Sequence, residues 1–172
     1  TGIQRFFASG KQPELMGNRH ASAYPYDAFK AKDGRFVIGC ANDKLFTLLC
    51  TKVLNRSDLL TDVRFDTNAK RCDNYAELKP EIEKWTVNHT VDECVDMILG
   101  VGVPAAPIND LERVTTDPHI AIAREMIVPI KHPVIGDMKV NGNPVKLLDT
   151  KAEISRPAPT LGQDNEAVFN DI

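Results

Sequence analysis

Apolar and polar positions along the chain first alternate at the period of a strand, then recur at the period of helices, and near the C-terminal end alternate again. From Tyr24 to Lys30 the residues Tyr24, Tyr26, Ala28 and Lys30 fall on one side, and Pro25, Asp27 and Phe29 on the other. Asp33-Gly34 carries hairpin-turn chemistry, and Phe36-Val37-Ile38-Gly39 brings the chain back as a second strand. Leu45, Phe46, Leu48, Leu49 and Val53 then share one broad helical face, behind Asn42 or Asp43 as the cap and ending near Asn55. Asp66 or Thr67 opens a further helical region in which Tyr75, Leu78, Ile82 and Trp85 line up, with Glu77, Lys79, Glu81, Glu83 and Lys84 on a solvated face. Because proline removes a helical hydrogen bond, Pro80 predicts a kink or a helix that starts near Lys79.

Thr90-Val91-Asp92-Glu93 has the form of a capping box, and the helix behind it runs through Val95, Ile98 and Leu99 to an expected stop at Gly100. Pro104 and Pro107 keep Val103 to Ile108 extended, as an edge strand or a strand-like connector. Asn109 and Asp117 stand where caps of two short helices belong, the second with Pro118 at its first position and His119 on its surface. Ile127 to Ile130, Val134-Ile135, a Gly136-Asp137 turn and Met138 to Val140 predict a β ribbon, and Val145 to Leu147 adds a short strand. Pro157, Pro159 and Gly162 mark an extended tail before a small helix at about Glu166 to Phe169. At the other end, Ile3, Phe6 and Phe7 precede Ser9 to Pro13, a helix end running into an extended connector. These elements predict an α+β fold class: a small antiparallel sheet packed with helices, plus an extended C-terminal β and tail segment.

Composition narrows the function classes. The chain has 172 residues, of which 42% are apolar and 26% charged, the profile of a folded domain with a real core. Its formal net charge is −3 with scattered basic residues, so no nucleic-acid or membrane-surface partner is expected. The weakly polar run Met97 to Ile108 is short and interrupted by Gly100, Gly102, Pro104 and Pro107, so no membrane span is expected. Thr1 reads as a cut end with no signal peptide. Cys40, Cys50, Cys72 and Cys94 form no CxxC pair and read as reduced thiols of a cytoplasmic protein. The four histidines are dispersed, so no metal site is expected. Metalloprotease, nucleotide-hydrolase, Rossmann and nucleophile-elbow motifs are all missing.

The stretch with chemistry of its own is Gly17-Asn18-Arg19-His20, a turn that offers backbone amides, a guanidinium and an imidazole to an anionic or carbonyl substrate. The same four residues also read as a solvated connector into the first strand. Asp33 and Asp43 are the nearby carboxylates, and turn and cap duties account for them.

Four segments in order carry a family resemblance. They are Gly17 to Asp43 with its GNRH, PY, DG and IGCAND groups, Arg64 to Asn74, Gly102 to Ile108 with Asp117-Pro118-His119, and Arg156 to Asn165. Together they resemble the class III CoA-transferases, which include formyl-CoA transferase, carnitine CoA-transferase and acyl-CoA racemases. The resemblance implies CoA transfer between carboxylic acids through an aspartyl-CoA intermediate, with acyl-CoA as substrate and no permanently bound cofactor. It implies an acyl-CoA and a carboxylate acceptor as partners of the intact enzyme, and a homodimer.

Under the resemblance, residues 1–16 are a connector from a large domain, 17–125 the small α+β domain, and 126–172 a segment that returns to the large domain. The nucleophilic aspartate lies upstream, so no catalytic residue is expected in this chain, which by itself would be an inactive fragment. Gly17, Asn18, Arg19 and His20 fall where formyl-CoA transferase has a glycine-rich loop over the intermediate, and they are the candidate substrate-binding residues. A racemase or isomerase of the same family, and a purely structural or dimerisation module, remain the alternatives.

Overall fold

The computed structural model describes residues 2–170, so the reading of Thr1 as a cut end lies outside the described residues. Contacts divide the chain into two compact units, Thr1–Ile108 and Asn109–Ile172. The division falls ahead of the 125/126 boundary expected from sequence. The segment after Asp110 is tied forward into the following hairpin, through Met126 N–H donating to the Ile120 carbonyl at 3.1 Å.

In the first unit, α1 (Gly2–Ser9) leads into an extended stretch and then into the hairpin β1 (Tyr26–Lys30) and β2 (Arg35–Gly39). β2 also pairs antiparallel with β3 (Ala105–Pro107), giving the order β1-β2-β3 with Phe29 opposite Phe36 and Val37 opposite Ala106. α2 (Asp43–Leu48) opens at Asn42, whose side-chain oxygen accepts from Leu45 N–H at 2.9 Å, and continues as a π-helical turn over Leu49–Val53. α3 (Asp58–Thr61), α4 (Asn68–Asp73), α5 (Tyr75–Thr86) and α6 (Val91–Gly100) follow. Thr67 caps α4, and the capping box at Thr90 and Glu93 is formed in both directions. The α+β class holds.

The core lies between the sheet and these helices. Phe29, Phe36, Ile38, Phe46, Leu49, Phe65, Leu78, Ile82 and Ile98 are all buried there. α5 runs on through Pro80, and the helix start expected near Lys79 does not occur. Leu78 and Ile82, on either side of the proline, are both fully buried, so core packing holds the two halves in one helix despite the missing hydrogen bond.

The polar side of α5 is not simply solvated. β1 is an edge strand, and its outward groups need partners. The Lys79 ammonium donates to the Ala28 carbonyl, Lys30 N–H donates to Glu83 Oε1 at 3.1 Å, and the Thr86 hydroxyl donates to the Lys30 carbonyl at 2.6 Å. Residues 79, 83 and 86 share one helical stripe, so a single face of α5 closes that edge. Lys79 also reaches the buried Asp27 carboxylate at 2.6 Å, which explains a charged residue on the sheet's core face.

Two further expectations shift. α6 ends at Gly100 as expected, but the glycine that caps it is Gly102. Gly102 has φ +82° and donates to the Leu99 carbonyl at 2.8 Å, and Val103 N–H reaches the Ile98 carbonyl at 3.2 Å, a Schellman pair in which Gly100 is still helical. In the second unit Asp110, not Asn109, caps α7 (Leu111–Thr116), because Ile108 N–H is still bonded to the Arg35 carbonyl and the extended stretch ends later.

Asp117 caps the π-helical turn Pro118–Ala123 as expected. β4 (Ile127–His132) and β5 (Gly136–Asn141) form an antiparallel hairpin whose turn is 133–135, one step before the predicted Gly136-Asp137 turn. His132 Nδ1 sets it there by accepting from Val134 N–H at 3.1 Å and Ile135 N–H at 3.2 Å. No strand forms at Val145–Leu147, where the Asn143 side chain takes the Val145 N–H that a ladder would need. The tail ends in α8 (Asn165–Asn170).

The helix stop gives a paired test. Gly100→Ala is expected to stabilise the protein by up to about 1 kcal/mol, since alanine is the better helix former. Gly102→Ala is expected to cost about 1 kcal/mol for a side chain at positive φ. Urea unfolding of both variants checks this, and equal effects would mean that the helix does not end where the structure ends it.

Candidate functional site

The turn at Gly17–His20 is fixed by its backbone. Gly17 adopts φ +62°, a conformation that glycine takes without strain, and Arg19 N–H closes the turn on the Met16 carbonyl at 3.3 Å. His20 N–H then donates to the Tyr26 carbonyl at 2.9 Å, which continues along β1 the edge pairing that α5 provides further on. The His20 ring stacks on Tyr26, centroids 5.0 Å apart, and its Nδ1 accepts from Ser22 N–H at 3.2 Å.

The next residues are clamped from α4. Asn68 Nδ2 donates to the Ser22 carbonyl at 2.8 Å while its Oδ1 accepts from Tyr24 N–H at 3.1 Å. Tyr24-Pro25 is a cis peptide, and Arg71 holds it from below. The Arg71 guanidinium is fully buried, donates to the carbonyls of Tyr24 at 2.9 Å and Phe65 at 3.1 Å, and pairs with Asp43 at 2.6 Å.

The four sequence candidates therefore diverge. Asn18 is exposed and His20 lies along the strand edge on Tyr26, whereas Arg19 is half-buried and turns toward a cleft of about 580 Å³. Lys11, Glu14, Cys72 and Asp73 also line that cleft. The Arg19 guanidinium carbon sits 3.8 Å from the centre of the Tyr75 ring. Asn68, Arg71 and Tyr75 were not singled out as site residues from sequence. Asn68 and Arg71 stood inside the Arg64–Asn74 segment, and Tyr75 had read as one more apolar position of a helix.

The neighbouring titratable groups are already engaged. Asp33 Oδ1 accepts from Val91 N–H at 2.8 Å, Asp43 pairs with Arg71, and Asp27 pairs with Lys79 and accepts from Ala28 N–H at 2.7 Å. Asp43 is thus an ion-pair partner and not the cap, which Asn42 supplies. Burial pushes the thiols of Cys40 and Cys50 up to about 12 and that of Cys94 to about 11, and it raises Cys72 as well. All four stay protonated at neutral pH and are poor nucleophiles. The Tyr24 hydroxyl is buried without a hydrogen-bond partner among the described residues, and burial raises its pKa. Among the described residues no three His, Cys, Asp or Glu side chains converge as metal ligands, and no helix is long and apolar enough to cross a membrane.

Comparison with known proteins extends along nearly the whole chain. The acetyl-CoA:oxalate CoA-transferase of Acetobacter aceti is 37% identical over 166 residues, covering 96% of this chain and 41% of its own length. The succinyl-CoA–D-citramalate CoA-transferase of Chloroflexus aurantiacus is 33% identical over 171 residues, covering 99% and 42%. A crystal structure of a CaiB/BaiF family protein from Brucella suis superposes with TM-score 0.81 at 32% identity, over 99% of this chain and 43% of that one. The chain thus spans about two fifths of the length of these relatives. The family model for CoA-transferase family III takes in residues 2–165, and with it the four segments that carry the sequence resemblance, so the chain belongs to CoA-transferase family III.

Proposed function

We propose that this chain is the small-domain part of an enzyme that moves CoA between carboxylic acids, and that the Gly17–His20 turn faces the acyl group. In that reaction an aspartate oxygen attacks the acyl-CoA thioester carbon and CoA thiolate leaves, giving a mixed anhydride. The thiolate then attacks the aspartyl carbonyl, which releases the donor acid and leaves an aspartyl-CoA thioester. The acceptor carboxylate attacks that thioester and expels CoA thiolate, which finally takes the acceptor acyl group and restores the aspartate. No resident cofactor is needed, because the CoA thioester is itself the substrate.

The observation that carries this reading is the match to named CoA-transferases over nearly the whole chain, two of them on different donors and acceptors. The geometry supports the division of labour. Asp27, Asp33 and Asp43 are each held by an N–H or a cation, in keeping with a nucleophile supplied from outside this chain. Arg19 lines a cleft, which favours a substrate-facing turn over a purely structural module. The reading includes a homodimer and a cytoplasmic enzyme, the latter in keeping with the buried free thiols of Cys40, Cys50 and Cys94. It also treats residues 17–125 as the small domain and 126–172 as the segment that returns to a large domain.

Two experiments test it. In the full-length protein, Arg19→Ala and His20→Ala are expected to lower turnover or change acyl preference while the melting temperature moves little, since both residues lie in a partly exposed turn. A large fall in melting temperature with normal turnover would make the turn a connector. The 172-residue chain by itself is expected to give neither exchanged thioester nor protein-bound CoA when incubated with acyl-CoAs and carboxylate acceptors and read by mass spectrometry. Either product above the protein-free control would place a nucleophile inside these residues.

A further inference from the structure

Arg19 is held differently from Arg56, Arg64 and Arg71. Arg56 pairs with Asp58 and Glu81, Arg64 with Asp62 and Glu77, and Arg71 with Asp43 and two carbonyls. Arg19 sits over the Tyr75 ring at 3.8 Å and forms no ion pair with a described residue. A guanidinium stacked on an aromatic ring keeps its edge, with its N–H donors, open for a ligand.

The cleft beside it says which ligand. Its charged walls are Arg19 and Lys11 against Glu14 and Asp73, a balance that creates no field to gather a polyanion such as a diphosphate. A single guanidinium edge matches a single carboxylate, through two parallel N–H···O bonds. The platform is anchored too, because the Tyr75 ring meets the fully buried Tyr24 ring edge-on at 6.1 Å. Holding the guanidinium in place beforehand reduces the side-chain entropy lost when the ligand binds.

We infer that Arg19, positioned by Tyr75, clamps a carboxylate of the acid substrate, and that the pair thereby selects acids with a second carboxylate beyond the one that exchanges CoA. The inference rests on the reading that Gly17–His20 faces the acyl group. Tyr75 acts through Arg19 and is a positioning residue.

The test compares glutarate with valerate, which has the same chain length and one carboxylate fewer, as acceptors from acetyl-CoA in the full-length protein. Arg19→Ala is expected to lower the glutarate-over-valerate preference in kcat/KM about tenfold or more, the usual weight of a charge-assisted hydrogen bond. Arg19→Lys keeps the charge without the fork and should recover only part of it. Tyr75→Leu should raise KM for glutarate with little change in kcat, and Tyr75→Phe, which restores the ring, should reverse that rise. Equal losses with both acids in Arg19→Ala, or a Tyr75→Leu protein with the wild-type KM for glutarate, would overturn the clamp.

Wild-type protein that passes CoA from acetyl-CoA to neither acid would overturn glutarate and valerate as its acceptors from that donor and not the transferase reading. The clamp is then decided by binding, with glutarate and valerate titrated into wild-type and Arg19→Ala protein by NMR. A response to glutarate that exceeds the valerate response and disappears in the variant supports it, and responses that do not differ overturn it.

Discussion

An edge strand cannot leave its outward N–H and C=O groups without partners, and in this chain the way β1 meets that requirement sets where much of the first unit goes. The Lys79, Glu83 and Thr86 side chains serve the Ala28 and Lys30 end of the edge, so α5 must lie alongside with that stripe inward. The His20 backbone serves Tyr26 at the other end, so the Gly17–His20 turn must lie along the same edge. Packing and site placement thus follow from one demand. Tyr75, at the start of the helix drawn in by the edge, becomes the ring under Arg19.

Arg71 makes the arrangement costly to undo. A buried guanidinium loses its hydration, and here it recovers partners from two carbonyls and one carboxylate. Those partners belong to three separate segments: the cis Tyr24-Pro25 entry to β1, the loop before α4 and the first turn of α2. The Phe46 ring lies 4.4 Å beneath the same cation. Asn68, three residues earlier, grips the Ser22–Tyr24 backbone from the same helix. The entry to the strand is therefore held from two helices on the side facing the core, by α4 directly and by α2 through Asp43.

What the sequence made legible was local. The hairpin at Asp33-Gly34, the Thr90 capping box, the extended Val103–Ile108 and the α8 segment each depend on residues within a few positions of one another, and each formed. What it did not make legible depends on partners far along the chain. Lys79 and Glu83 looked like one more solvated face because β1 lies about fifty residues away, too distant for periodicity to register. Pro80 looked like a break because burial on both sides was not visible. The capping glycine at position 102 and the cap at Asp110 are offsets of one or two residues, decided by hydrogen bonds that propensity ranks alike.

The candidate site was legible to the same degree. Gly17–His20 could be picked out as a turn with donors, yet its members are not equivalent once folded, and the difference comes from aromatic neighbours outside the turn. His20 meets Tyr26, which the strand itself supplies six residues on, and is thereby tied to the fold. Arg19 meets Tyr75, fifty-six positions on, and forms no ion pair with a described residue. A cation stabilised by a ring retains more of its capacity to bind an anion than one already matched to a carboxylate, because no hydrogen bond has to break first. The turn thus sets an imidazole along the strand edge and a guanidinium beside the cleft one residue apart, and what distinguishes their surroundings is the ring beneath each.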